Sequence, residues 1–336
     1  MKNFKTILKF FLFITIGIFL VWWSLKQIPS GKWSEFKTAL KTARYWLFFP
    51  VAIFLLLSHF LRSLRWKLLM EPLGFFPRIP NVFFAVMIGY LANLALPRLG
   101  EILKCTILAR YEKVPVDKLA GTIIAERAFD LICLLLLFLI TLFLQYDIVV
   151  AGFSKLLQQT FVTQQGNLSI SKALFLLVLI IAGLLIIYFI FSRFAHINFI
   201  KKIKQIIKGI WQGLISVKNL KRKTPFFIYT FSIWFLYLIS TWAGFYATEG
   251  TNHLGIATAC SALFFGSVGM IITPGGIGAY AYLIAKILEE NNIPYALAYA
   301  NGTLQWFAQF LLVIIVGIIC VILIPWYNNK KIHEAS

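Results

Sequence analysis

Residues 92–111 read ANLALPRLGEILKCTILARY, and they close an apolar run from Val82 to Leu96 that has the composition of a membrane segment. Pro97 and Gly100 interrupt any smooth helix, while Arg98 and Glu101 place two charges where hydrocarbon is expected. A chain that breaks in this way either turns back or builds a polar site. The rest of the sequence decides how the break should be drawn.

Of the 336 residues, 60% are hydrophobic, 13% are charged and 33 are phenylalanine; the mean hydropathy is +0.83. Polar side chains this sparse cannot cover a water-soluble domain, so the fold class is an all-α polytopic membrane protein forming a single integral domain over 1–336. The net charge of +20 comes from Lys and Arg between apolar blocks, where cationic loops face the cytoplasm and anionic lipid. No basic face interleaved with stacking aromatics is present, which argues against nucleic acid as a partner. Cys105, Cys133, Cys260 and Cys320, like His59, His196, His253 and His333, are dispersed and lack ligand spacing, so no metal or cofactor is expected. Without a Ser/His/Asp set or a nucleotide loop, the chain reads as a non-enzyme with no catalytic residues. Lys2, Lys5 and Lys9 precede FFLFITIGIFLVWW with no small-x-small cleavage signal after it, as in an uncleaved first span.

Apolar length marks six full crossings, at 7–25, 45–61, 119–145, 173–192, 225–247 and 304–326. Two segments are interrupted: 81–111 at Pro97, and 254–290 at TPGGIG, residues 273–278. The 193–224 connection is densely basic and belongs on the cytoplasmic side, and 62–80 and 98–118 are basic as well. A full crossing at 81–97 would put those last two stretches on opposite faces. As a helix it would also reach only about 25 Å, against a hydrocarbon core of about 30 Å. A re-entrant hairpin removes the conflict, and the same treatment of 254–290, which follows the acidic Glu249, makes a second hairpin from the outer side. Six spans plus two re-entrant hairpins then arrange as an inverted repeat, with 1–150 as the first half and 170–336 as the second, and both termini cytoplasmic. The alternative is eight ordinary spans with a poor charge bias. The basic stretch 26–44 falls outside in this scheme, as an amphipathic interfacial segment, and FIKKIKQIIKGIWQGLI (199–215) suits a helix lying on an anionic cytoplasmic surface.

Besides Arg98 and Glu101, a charge group falls at membrane depth in TIIAERAFDLICLLLLF, residues 122–138. Glu126 and Asp130 are four apart and share a helix face, with Arg127 about 100° away. Buried charges of this kind serve either as a clamp, with Arg127 or Arg98 neutralising the carboxylates, or as a site for a polar substrate. Arg62 and Arg65 lie one turn apart beside Trp66; they suit contact with a phosphate head group, although snorkelling arginines beside an interfacial Trp are the readier explanation. Asn93 is placed to hydrogen-bond backbone freed by the turn. Pro274, Gly275, Gly276 and Gly278 end one helix and open another, which leaves backbone donors attractive to anions or simply permits tight turning.

With P-R-L-G-E (97–101), the following Lys104, E-R-A-F-D (126–130) and T-P-G-G-I-G (273–278) in this order, the chain resembles the lysylphosphatidylglycerol synthase transmembrane, or flippase-like, family, similar to the membrane half of the bacterial multiple peptide resistance factor. The resemblance implies a multi-pass protein of the bacterial inner, cytoplasmic membrane whose relatives move an aminoacylated phospholipid between leaflets. The aminoacyl-transferring domain that follows in those relatives has no counterpart before Ser336, so synthase activity is not expected. Ala281 stands where many relatives carry an acidic residue, which points to a different head group.

The combined expectation is a lipid flippase whose substrate site draws on Arg98, Glu101, Lys104, Glu126, Arg127 and Asp130, with backbone from Pro274, Gly275, Gly276 and Gly278. Arg62, Arg65 and Asn93 add weaker head-group contacts. Its partners are membrane lipids with anionic or phosphate-bearing head groups. The competing expectation is a non-transporting scaffold or accessory subunit for an envelope lipid-modifying enzyme.

Overall fold

A computed structural model of the chain describes residues 15, 18–96, 99–146, 220 and 222–334. Every regular element among them is helical, as a chain that must satisfy its backbone in hydrocarbon requires. In order, the helices are α1 (Trp33–Lys41), α2 (Phe48–Met70), α3 (Ile79–Ala95), α4 (Leu99–Glu112), α5 (Val116–Leu144), α6 (Lys223–Phe245), α7 (Ile256–Ile272), α8 (Ala279–Glu290) and α9 (Tyr295–Glu334). Four stretches are long and apolar enough to cross a membrane: Tyr45–Leu73, Val116–Leu144, Lys223–Phe245 and Tyr295–Asn329. Their outer faces carry exposed Phe49, Phe143, Phe231 and Ile322, the side chains expected against lipid. The chain is thus a multi-span helical membrane protein. The expected span 173–192 and the surface helix 199–215 lie outside the described residues, as does most of 7–25.

The interrupted segments each fold back on themselves. Helices α3 and α4 pack side by side, with Arg78 and Asn81 at the start of one meeting Glu112 at the end of the other. A Cβ on Gly100 would lie 1.9 Å from the Gly89 carbonyl oxygen, so only glycine permits this approach of the two legs. Helices α7 and α8 repeat the arrangement: a Cβ on Gly269 would meet the Tyr280 backbone at 2.8 Å, again across a pair eleven positions apart. The parallel extends to length, since α2 and α6 both have 23 residues and α3 and α7 both have 17.

The hairpin tips touch, with Gly275 against Leu94. Their bases lie far apart. Helix α5 leaves the base of the first hairpin and, after 29 residues or about 43 Å of helix, delivers Gln145 to the base of the second. There the Gln145 amide donates to Thr258 Oγ1 at 3.3 Å and to Asn291 Oδ1 at 3.2 Å, and accepts from Ser261 Oγ at 2.6 Å. Helix α9 makes the reverse journey and brings Asn328 to the first hairpin, where Asn328 and Asn81 exchange amide hydrogen bonds of 2.9 and 3.0 Å. Each hairpin is therefore clasped at its base by the long helix that follows the other one.

Two expectations change. The crossing expected at 45–61 continues as helix to Met70, so Arg62 and Arg65 are helix residues and not loop charges. Together with buried Lys104 they must be withdrawn from the count of loop cations that oriented the chain. The 26–44 stretch forms α1, an amphipathic helix as expected, but its apolar face meets protein: Phe36 stacks on Tyr299 of α9 at 5.9 Å, and the Arg44 N–H donates to Ala247 O at 2.8 Å.

Candidate functional site

The inward face of α2 is polar in an otherwise apolar helix. Ser58, His59, Arg62, Ser63, Arg65 and Trp66 are all buried. Thr122, Glu126 and Asp130 follow at four-residue steps on α5 and face them. From α4, Gly100, Lys104 and Leu108 form a third buried stripe with the same step. The glycine contact that seats α4 against α3 thereby also fixes the depth at which Lys104 enters.

These stripes converge on one charge cluster. Arg62 Nη1 donates to Glu126 Oε1 at 2.9 Å and to Asp130 Oδ2 at 2.5 Å. Arg65 Nη2 donates to Asp130 Oδ1 at 2.7 Å and lies 3.7 Å from Glu126 Oε1. Lys104 Nζ donates to Glu126 Oε2 at 2.8 Å and sits 4.5 Å from the centre of the Trp66 ring. The Trp66 indole N–H is directed to Thr122 Oγ1 at 2.9 Å, and Arg65 Nη1 reaches Thr230 Oγ1 of α6 at 3.4 Å. Three helices and one leg of a hairpin are thus tied together by side chains that lipid would not tolerate singly. Among the described residues, Arg62 Nε, Arg65 Nε and His59 Nδ1 of this buried group find no hydrogen-bond partner.

The expected site residues separate into several places. Lys104, Glu126 and Asp130 are in the cluster, and Arg62 and Arg65 prove to be its main cations. They are buried and paired, so neither they nor the fully buried Trp66 snorkel to an interface. Arg127 does not neutralise the carboxylates on its own helix as a clamp would require; its Nε pairs with Glu101 at 3.2 Å on a half-exposed surface between α5 and α4. Asn93 Oδ1 accepts from the Gly100 N–H at 2.8 Å, holding the turn of the first hairpin. Pro97 and Arg98 lie outside the described residues.

In the second hairpin, Gly275, Gly276 and Gly278 have φ of 59°, 72° and 74°, positions that side chains resist, with Ile277 between them at an ordinary φ of −54°. Pro274 O accepts from the Ile277 N–H at 3.3 Å, and the Gly276 N–H bonds Thr273 O at 3.0 Å, so the Gly276 donor expected for a head group closes the turn instead. The Trp306 indole donates to Gly275 O at 2.7 Å. Ala281 is packed against α9, where a Cβ on Gly302 would lie 2.8 Å from the Ala281 carbonyl. Sequence reasoning missed His59, Trp66, Thr122 and Thr230 as parts of the site. The available signal was the three- and four-residue recurrence of polar residues along 58–66.

The chain is 25% identical over 280 residues to the UPF0104 membrane protein of Methanocaldococcus jannaschii, a match covering 80% of this chain and 82% of that protein. No solved structure matches it significantly. The family described as "Lysylphosphatidylglycerol synthase TM region" matches residues 7–317, which include both hairpins and the whole charge cluster. The chain belongs to this lysylphosphatidylglycerol synthase transmembrane family.

Proposed function

We propose that the protein is a flippase that moves the head group of a phospholipid, or of a lipid-linked molecule, between the leaflets of the cytoplasmic membrane. The two halves act as an inverted repeat of three crossings and one re-entrant hairpin, with both termini in the cytoplasm. The observation that carries this reading is the buried charge cluster of α2 and α5, into which one leg of a hairpin inserts Lys104 while the tip of that hairpin meets a second hairpin based at the opposite end of the molecule. A fold needing only to sit in a bilayer has no use for five charges at that depth. Two short hairpins meeting tip to tip supply what alternating access needs: a thin barrier between two faces, each side of which opens by movement of one hairpin. The acyl chains stay in lipid while the head group crosses between the halves. The protein performs no covalent chemistry in this scheme.

The completeness of the carboxylate pairing favours a second reading. Both Glu126 and Asp130 contact cations, as they would in a static clamp, and a scaffold for an envelope lipid-modifying enzyme needs nothing more. Reconstitution into liposomes with labelled lipids separates the two. Leaflet exchange accelerated by the protein and reduced by Glu126→Gln is the expected result. No acceleration for any lipid tested, together with a tight complex with an envelope enzyme, would replace the flippase by the scaffold.

A further inference from the structure

Helix α1 carries a charge pattern that its packing does not use. The segment 26–44 holds five cations, Lys26, Lys32, Lys37, Lys41 and Arg44, against the single carboxylate of Glu35, and all five cations are exposed. Lys32 pairs with Glu35 and Arg44 lies 3.7 Å from Glu249, while Lys37 and Lys41 have no ion-pair partner among the described residues. These two share a stripe with exposed Trp33 at four-residue steps, turned away from the buried Phe36 and Ala39. The third flank of the helix, Ser34, Thr38 and Thr42, lines a cleft of about 390 Å³ together with Glu35 and Glu249. Acidic groups are therefore segregated from the unpaired lysines. The height of α1 is also fixed. It lies between helical residues 18–26 and the membrane-crossing stretch that begins at Tyr45, where hydrocarbon gives way to head groups. Exposed Trp22, Trp23 and Trp46, the last with 68% of its surface open, mark the same level. The Phe36–Tyr299 stack and the bond from the Arg44 N–H to Ala247 O hold the helix in one orientation.

We propose that the Trp33–Lys37–Lys41 flank of α1 is a docking surface for anionic phospholipids of the surrounding bilayer, which it gathers along one edge of the protein. Charge complementarity identifies the occupant. Two unpaired ammonium groups at head-group height, with no carboxylate on their side of the helix, attract negatively charged lipid, and the adjoining indole suits the same boundary. In the proposed orientation this end of the molecule faces outward, where loop cations are otherwise uncommon; docked head groups supply the missing counter-charge. A lysine ammonium is a compact point charge without the planar fork of arginine. The surface accordingly selects lipids by charge and not by head-group shape, so phosphatidylglycerol and phosphatidylserine, each with one net negative charge, dock equally well. The flank lies outside the buried charge cluster and serves a flippase and a scaffold alike, so failure of the translocation reading leaves it standing.

The test uses the full chain with its native cysteines replaced, reconstituted in phosphatidylcholine bilayers, with a fluorophore on a cysteine replacing exposed Ser30 beside α1. A second preparation carries the fluorophore in place of exposed Phe76, beyond the other end of α2. Nitroxide-labelled phosphatidylglycerol, phosphatidylserine or phosphatidylcholine is added, and quenching reports which lipid adjoins each position. One lysine at an anionic surface strengthens attachment roughly fivefold. At position 30, both anionic lipids should be preferred over phosphatidylcholine by about fivefold or more, and should match each other within about twofold. Lys37→Gln with Lys41→Gln should reduce that preference to below about twofold, and Lys37→Arg with Lys41→Arg should retain it. The preference at position 76 should be the same in all variants. Equal quenching by anionic and neutral lipid at position 30, an unchanged preference in the double glutamine variant, or an equal loss at position 76 would each overturn the proposal. So would quenching by neither lipid with a soluble acidic peptide shifting the fluorophore instead, since the flank would then face water and a partner dissolved in it. Should the double glutamine variant not reconstitute, salt decides with the lysines intact: a preference that falls at least about threefold between about 0.05 and about 1 M salt supports docking, and a salt-independent one refutes it.

Discussion

Glu126 is the carboxylate on which the cluster depends most, and its removal has a calculable consequence. It accepts from Arg62 at 2.9 Å and from Lys104 at 2.8 Å, with Arg65 at 3.7 Å. At an effective dielectric constant of about 20, each of the two closer contacts corresponds to roughly 6 kcal/mol of gross attraction. Desolvation cancels much of that, and breaking one partner out of a buried ion pair costs a net of about 3–5 kcal/mol. Glu126→Gln keeps the shape and, among the described residues, leaves Arg62, Arg65 and Lys104 facing Asp130 alone. We expect it to lower the midpoint of thermal unfolding in detergent by about 10 °C, at roughly 2–4 °C per kcal/mol. Adding Lys104→Met removes the cation left without its carboxylate, so the double variant should regain about 2 kcal/mol relative to Glu126→Gln alone. The cycle requires the Glu126→Gln penalty to be smaller by about 2 kcal/mol in the Lys104→Met background than in the unaltered protein. A penalty below about 1 kcal/mol, or strictly additive effects, would refute the electrostatic account of the cluster.

The hairpins make further predictions. Gly100→Ala puts a methyl group 1.9 Å from the Gly89 carbonyl oxygen and should destabilise by about 1–3 kcal/mol as the legs separate; Gly121→Ala, with nothing within 4 Å, should be neutral or stabilise by up to about 1 kcal/mol in the same unfolding assay. Gly275→Ala meets a flexible Leu94 side chain but also a φ of 59°, so about 1–2 kcal/mol should be lost to the backbone. Leu94→Ala should fail to rescue it, while Gly275→Asn should be milder. In a background without Cys105, Cys133, Cys260 and Cys320, single cysteines replacing exposed Phe76 and Lys113 should react with an impermeant thiol reagent from one side of the membrane, and one replacing exposed Glu249 from the other. Labelling of 76 and 113 from opposite faces would rule out re-entry of the first hairpin.

Much of the fold was legible because hydrocarbon imposes so few solutions. Apolar length located the long helices, and Pro97, Gly100 and the 273–278 glycines announced the two breaks. What composition hid was the boundary between helix and loop near charges. Arg62 and Arg65 look like the cytoplasmic edge of a span when read along the chain, and only the opposing face of α5 reveals that they are inside it. The site was half readable for the same reason. The four-residue spacing of Glu126 and Asp130 identifies a common face, but their arginine partners are 64 to 68 residues away in sequence. Arg127, adjacent in sequence, pairs elsewhere because the neighbouring helical position points in another direction.

The crossed clasps bear on how such a chain can be taken apart. Cut anywhere between Gln145 and Arg222, it would yield one piece holding the first hairpin without Asn328, and another holding the second hairpin without Gln145. Neither piece contains the residue that closes the base of its own hairpin. In its polar bookkeeping the molecule is therefore less a pair of separable modules than two interlocked parts of one chain, each completing the other's hairpin.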